Sequence, residues 1–346
     1  MTRMLSEILE QPDILAGIER KNETTLIRLV AELNERKINH AVFAGRGTSD
    51  HASIYGQYLL GIYKGVVSTL AIPSCITLYE GEFDFKDDLV IGVSQSGEAA
   101  DALAVMMQAN ECGAVTVAIT NNTESPMAKS AKYHLYCFAG MEKSVAATKT
   151  FTAQMYLIAL LTAYWSKDAD LLEHLRMLPA FAGEMLACHQ GEIKKYVERY
   201  RFMKEGFILS RGITYPIALE AALKIQETCY IKMKGYAISD FYHGPLAQLD
   251  MDVPVFIFAP EGKVSEDFKA LIPRIEKIGI QPLIVTDDVF LNEHSKSSIL
   301  LPCTGSEATQ AFLFAIFAQR FAEYLSVSKG LNPDKPRLLK KVTITK

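Results

Sequence analysis

A chain of 346 residues with 36 Lys and Arg against 40 Asp and Glu carries a formal net charge of −4, with 49% hydrophobic and 22% charged residues. That length allows two domains with substantial cores, and the near-balanced charge, without a long basic run, speaks against a nucleic-acid-binding surface. The opening MTRMLSEILEQPDIL has no apolar stretch or cleavage site of a signal peptide. The most apolar segments, residues 151–165 and 308–327, are short or carry Gln310, Gln319, Arg320 and Glu323, so they are expected to be core helices of a cytoplasmic protein, not membrane spans. Six dispersed cysteines with no CxxC pair predict buried free thiols, and seven histidines without HExxH spacing predict no metal site.

In chain order, apolar runs of strand length alternate with helical patterns. Residues 40–44 read as a strand, followed by the turn Gly45-Arg46-Gly47-Thr48-Ser49 and a helix to about residue 63. Strands follow at 66–71 and 89–94, then a helix over 97–112, and strands at 115–120 and 133–138. Helical, charged sequence over 166–201 leads to a second series. There a strand at 206–210 and the turn Arg211-Gly212-Ile213-Thr214 precede a helix over 216–233. A strand at 253–259, a helix over 261–279 and a strand at 281–286 complete it. Aligning FAGRGTSDHASIYGQYLL with ILSRGITYPIALEAALKI superposes Arg-Gly in both turns, so the halves read as diverged copies of one unit. The fold class is therefore α/β, each half a parallel sheet flanked by helices. The expected domains are residues 1–180 and 195–346.

In open parallel sheets, ligands sit at the carboxyl ends of strands, on the turns leading into helices. Two such turns in the first half are rich in hydroxyls: Thr48 and Ser49, and Ser94-Gln95-Ser96-Gly97. A serine there suits a helix cap, and the free N–H groups of a helix N-terminus also suit phosphate; the two uses are compatible. Neither turn is GxGxxG or GxxxxGK[ST]. In the second half, Glu220, Lys224 and Glu227 share one stripe of a helix that is otherwise apolar. They read either as a surface ladder of ion pairs or as groups facing a cleft, where ionisable side chains acquire useful pKa values. His243, before Gly244-Pro245, lies on a turn and is a candidate for proton transfer. The tail NPDKPRLLKKVTITK ends in an alternating, strand-like segment at 341–345 that is able to pack back on the body.

The motifs GTSDHA, VSQSGEAAD and VAATKTFTAQ, with ALEAALKIQE, YHGPLA and KPRLLKKVTI, resemble, in the same order and over nearly the whole chain, the tandem sugar-isomerase (SIS) domains of glucosamine-6-phosphate synthases. They match the isomerase half of those enzymes. No glutaminase half with its nucleophilic cysteine precedes them here, so the resemblance points to the stand-alone SIS-type glucosamine-6-phosphate deaminases. It implies two tandem SIS domains and a phosphate site at Thr48, Ser49, Ser94, Gln95 and Ser96, with Val145 beside the sugar. It also implies Glu227 as the base that moves a proton between C1 and C2, with Glu220 and Lys224 as supporting charges. His243 would open the sugar ring in the neighbouring subunit of a homodimer with shared active sites, and Lys341 would be the Schiff-base lysine of the tail. A phosphorylated amino sugar is the implied substrate, with no nucleic acid or membrane partner and no cofactor or metal. Two positions depart from the pattern: Ala99 replaces a phosphate-contacting threonine and Ala147 a serine near the sugar. Losing one neutral hydrogen bond costs about 1 kcal/mol, roughly fivefold in affinity. A fructosamine-phosphate deglycase, a galactosamine-phosphate deaminase, a phosphosugar isomerase or a non-catalytic sugar-phosphate sensor remain as alternatives at this point.

Overall fold

The alternation of strands and helices resolves, in a computed structural model describing residues 1–341, into two five-stranded, wholly parallel sheets. Of the alternating tail segment, all but Lys341 lies outside the described residues.

The first sheet comprises β1 (His40–Ala44), β2 (Val67–Leu70), β3 (Leu89–Ser94), β4 (Val115–Thr120) and β5 (Tyr133–Tyr136), in the order β2-β1-β3-β4-β5. The central strands β3 and β4 are buried along their whole length, as sheets covered on both faces require, and their valines and isoleucines suit that environment. The register runs Ala41↔Leu89 on one side of β1 and His40↔Val67 on the other. The second sheet comprises β6 (Glu205–Ser210), β7 (Lys232–Ala237), β8 (Val255–Ala259), β9 (Leu283–Thr286) and β10 (Ser298–Leu300), in the order β10-β9-β8-β6-β7. Renumbered within each half, the two orders are the same, so the repeat expected from the paired Arg-Gly turns is a repeat of topology.

By internal contacts the chain divides into two units. One holds Asp13–Glu142, Lys149–Arg176 and the tail from Lys340; the other holds Met1–Pro12, Lys143–Thr148 and Met177–Leu339. The two apolar segments are core helices, Lys149–Ser166 and Glu307–Ser328, with nearly every side chain buried. No described helix is long and apolar enough to cross a membrane.

Three expectations need correction. The helix expected through residue 233 ends at Cys229, where Tyr230 takes a left-handed conformation (φ 59°), and Lys232–Ala237 form β7. Ile231, Met233 and Ala237 are buried while Lys232 and Lys234 are exposed, a period of two that suits a charged edge strand. The helix expected from residue 97 starts at Ala100. All six cysteines are free, but only Cys137 and Cys229 are buried. Burial pushes the Cys229 thiol up to about 12, out of reach of thiolate chemistry at neutral pH.

Candidate active site

Strand order reverses at β1 and β3, the topological switch point of the first sheet, where doubly wound folds place ligands. Both hydroxyl-rich turns leave the sheet there. After β1, Thr48 and Ser49 open the helix Thr48–Leu59, with Gly47 (φ 56°) before them and Ser49 buried. After β3, the Ser94 hydroxyl accepts the Gly97 N–H (3.0 Å) and the Ser96 hydroxyl accepts the Glu98 N–H (3.2 Å). The Gln95 carbonyl accepts the Asn121 N–H (3.0 Å). Neither serine caps the following helix, contrary to the capping expectation: the N-cap is Ala99, which has no side-chain acceptor. The serines shape the turn; the N-cap position itself offers no side-chain acceptor, and within the first turn Asp101 Oδ1 accepts the Ala102 N–H (2.8 Å).

Gly97 is fixed in this turn by geometry. It has φ +68°, and a Cβ built on it would fall 2.1 Å from Ser125 Oγ and 2.5 Å from Ser125 Cβ. Ser125 cannot yield easily, because its hydroxyl donates to the Asn122 carbonyl (2.8 Å) and accepts the Ala128 N–H (3.2 Å). Gly97→Ala therefore combines left-handed strain with overpacking and is expected to cost about 2–4 kcal/mol. Urea unfolding of the ligand-free chain measures it, and a loss under about 0.5 kcal/mol, the size of an ordinary surface substitution, would show that the turn adapts.

A clasp that motif reading missed ties the two turns. Arg46 Nε meets the buried carboxylate of Asp101 at 2.5 Å, and in the second half Arg211 Nε meets Asp267 at 2.8 Å. The hydroxyls of the second turn are not repeated: Ser94-Gln95-Ser96-Gly97 is matched after β8 by Ala259-Pro260-Glu261-Gly262, whereas Thr214 stands where Ser49 does in the first. A clasp retained where the Ser94-Gln95-Ser96 side chains have no counterpart serves the fold.

The charged trio lies on the helix Tyr215–Cys229, which starts with Pro216 in its first turn and draws on the strong helix formers Ala, Leu and Glu. Lys224 Nζ stands 3.3 Å from Glu220 Oε1 and 2.5 Å from Glu227 Oε2. The Lys224 and Glu220 side chains are 0% and 1% exposed, whereas Glu227 is 21% exposed, so the surface-ladder reading does not hold. Burial alone would push the Lys224 ammonium down, but attraction to Glu220 and then Glu227, with hydrogen bonds from both, holds it well above the ordinary lysine range. The result is a lysine held in its charged form at neutral pH between two carboxylates, only one of which reaches solvent.

His243 is exposed on the turn between the short helices Ile238–Phe241 and Pro245–Gln248, its N–H donating to the Asp240 carbonyl (3.1 Å), and stands outside the trio's ion pairs. Val145 is half-buried in the segment Lys143–Thr148. That segment is held by Glu7, a second residue without a motif. Its buried carboxylate accepts the Lys143 and Ser144 N–H groups and the Ser144 hydroxyl. Gln319 Nε2 donates to the Thr148 carbonyl (3.2 Å), and Gln11 Nε2 donates to Gln319 Oε1 (2.8 Å). Lys341 Nζ meets Glu142 Oε2 at 2.6 Å.

Residues 34–164 and 204–328 each match the SIS domain family model. Over 99% of its length the chain is 33% identical to the glutamine–fructose-6-phosphate aminotransferase [isomerizing] of Aquifex aeolicus, covering 57% of that protein. The chain thus spans a little over half the length of the curated relatives it matches. The C-terminal domain of the glucosamine–fructose-6-phosphate aminotransferase of Francisella tularensis superposes with a TM-score of 0.86 at 25% identity, over 97% of this chain and 98% of that one. The glucosamine-6-phosphate deaminase of Thermotoga maritima shares the fold, with a TM-score of 0.79 at 21% identity, over 99% of this chain and all of that one. Two matched segments carrying one repeated strand order, together with kinship to the aminotransferases along the whole chain, place it in the SIS domain family.

Proposed function

We propose that the chain converts glucosamine 6-phosphate to fructose 6-phosphate and ammonia. The observation that carries this reading is the buried trio in which Glu227 alone reaches solvent, since a partly exposed carboxylate fixed by a lysine suits a base that handles a carbon-bound proton. The phosphate is held by Thr48, Ser49, Ser94, Gln95 and Ser96, on the turns that lead into the helices Thr48–Leu59 and Ala100–Glu111. The duplicated turn in the second half already has a carboxylate against it: Val264 N–H donates to Glu307 Oε1 (3.4 Å), and a Cβ on Gly262 would lie 2.2 Å from that oxygen.

In this reading His243, supplied by the second copy of a homodimer, opens the sugar ring. Glu227 removes the C2 proton and returns it at C1, while the Lys224 ammonium stabilises the enolamine charge that develops. The C2 imine then takes up one water and splits into the ketone of fructose 6-phosphate and ammonia. Val145 borders the sugar, and Lys341 closes the site from the tail. The names of the relatives, which isomerise the same carbon skeleton, agree with this class of substrate. Incubating the chain with glucosamine 6-phosphate should release ammonia and fructose 6-phosphate in equal amounts. Release from a fructosamine phosphate but not from glucosamine 6-phosphate would replace deaminase by deglycase, and binding without turnover would leave a sensor.

A further inference from the structure

Glu142 is wholly buried and belongs to no motif, yet it meets the tail across 199 residues of sequence. Its carboxylate is fixed independently of the tail. Thr150, in the first turn of the helix Lys149–Ser166, donates its backbone N–H to Oε1 (3.1 Å) and its hydroxyl to Oε2 (2.8 Å). A carboxylate at a helix N-terminus is also favoured by the helix dipole. The acceptor is therefore built into the fold, and Lys341 Nζ completes it at 2.6 Å.

The tail before that point has its own attachments. Asp334 accepts the Arg3 and Met4 N–H groups at 2.8 and 2.9 Å, and Arg337 donates its N–H to Tyr230 Oη (2.9 Å) with its guanidinium over that ring. Residues 337–340 are exposed, and at Lys341, 24% exposed in its side chain, the chain is half-buried again. The Glu142 ion pair is thus the contact that seats the end of the described tail.

We propose that Glu142 is a positioning residue: it captures the Lys341 ammonium and sets the tail in the place it occupies during turnover. This rests on the proposed function only in giving Lys341 a part in the reaction. The pairing itself does not depend on it.

The test compares the full chain with Glu142→Gln, which keeps the volume and an oxygen for Thr150 but removes the charge. Acylation of Lys341 by acetic anhydride is read by peptide mass spectrometry against the exposed neighbour Lys340. The ratio of Lys341 to Lys340 labelling should rise at least fivefold in Glu142→Gln. On glucosamine 6-phosphate, kcat should fall at least tenfold while KM stays within about threefold, because the phosphate turns are untouched. Glu142→Asp should recover part of both effects. An unchanged labelling ratio, or a loss expressed in KM alone, would overturn the proposal. If Glu142→Gln does not fold, the unaltered chain still decides: salt screens a partly exposed ion pair, so the ratio should rise with salt concentration, and a flat response would overturn the proposal. Absence of turnover in the unaltered chain would defeat the deaminase reading and leave the labelling result standing.

Discussion

Glu227→Gln is expected to bind glucosamine 6-phosphate with near-normal affinity and to lose kcat by about 10²–10⁴-fold, the usual contribution of a positioned general base. Gln keeps the volume of the side chain, and its amide oxygen can still accept from Lys224 Nζ, which stands 2.5 Å from the native Oε2. Glu220 keeps its partner at 3.3 Å, so the buried half of the trio is preserved. What is lost is the only oxygen pair of the trio that reaches solvent and can take a proton from carbon. The loss should therefore fall on kcat and kcat/KM alike, as expected for an interaction made only in the transition state. Steady-state kinetics with ammonia detection measures it. Exchange of the substrate C2 proton with deuterated solvent should stop in parallel. Activity within threefold of the unaltered chain would remove Glu227 from the role of base, and a tenfold rise in KM with normal kcat would make it a binding group.

The parts of the fold that could be read in advance are those where a local pattern and its tertiary setting agree. Strands β1, β3 and β4 are apolar runs closed by turns, and burial on both faces is what such runs demand. Strand β7 was illegible because its alternation follows the helix Tyr215–Cys229 with neither Gly nor Pro at the junction, and the break is made by Tyr230 in a left-handed conformation. Strand β10 is three residues long, too short for a periodic signal. Within the candidate site, the spacing of Glu220, Lys224 and Glu227 was visible, but spacing cannot separate a surface ladder from a buried trio. Only packing decides that. Glu7 and Glu142 reach partners 137 and 199 residues away, and nothing local marks them. The arginine clasp is the exception among the missed contacts. Arg46 and Asp101 are 55 residues apart and Arg211 and Asp267 are 56 apart, so the repeat carries the pairing in its spacing.

Lys224→Met is expected to destabilise the folded chain by about 3–5 kcal/mol, the cost of leaving a buried charge without its partner. Methionine fills the space of the lysine stem, so the effect is electrostatic and not a cavity. Glu220, 1% exposed, would be a carboxylate in the interior with its ammonium gone, while Glu227, 21% exposed, can turn part of its charge to water. A second substitution separates this cause from poor packing, with urea unfolding at neutral pH as the measurement. The double variant Glu220→Gln with Lys224→Met should regain most of the stability, because the one charge left without its partner, on Glu227, reaches water while the buried position holds a neutral amide. A single variant within about 1 kcal/mol of the unaltered chain, or a double variant worse than the single, would mean that the ion pair is not what holds this helix in place.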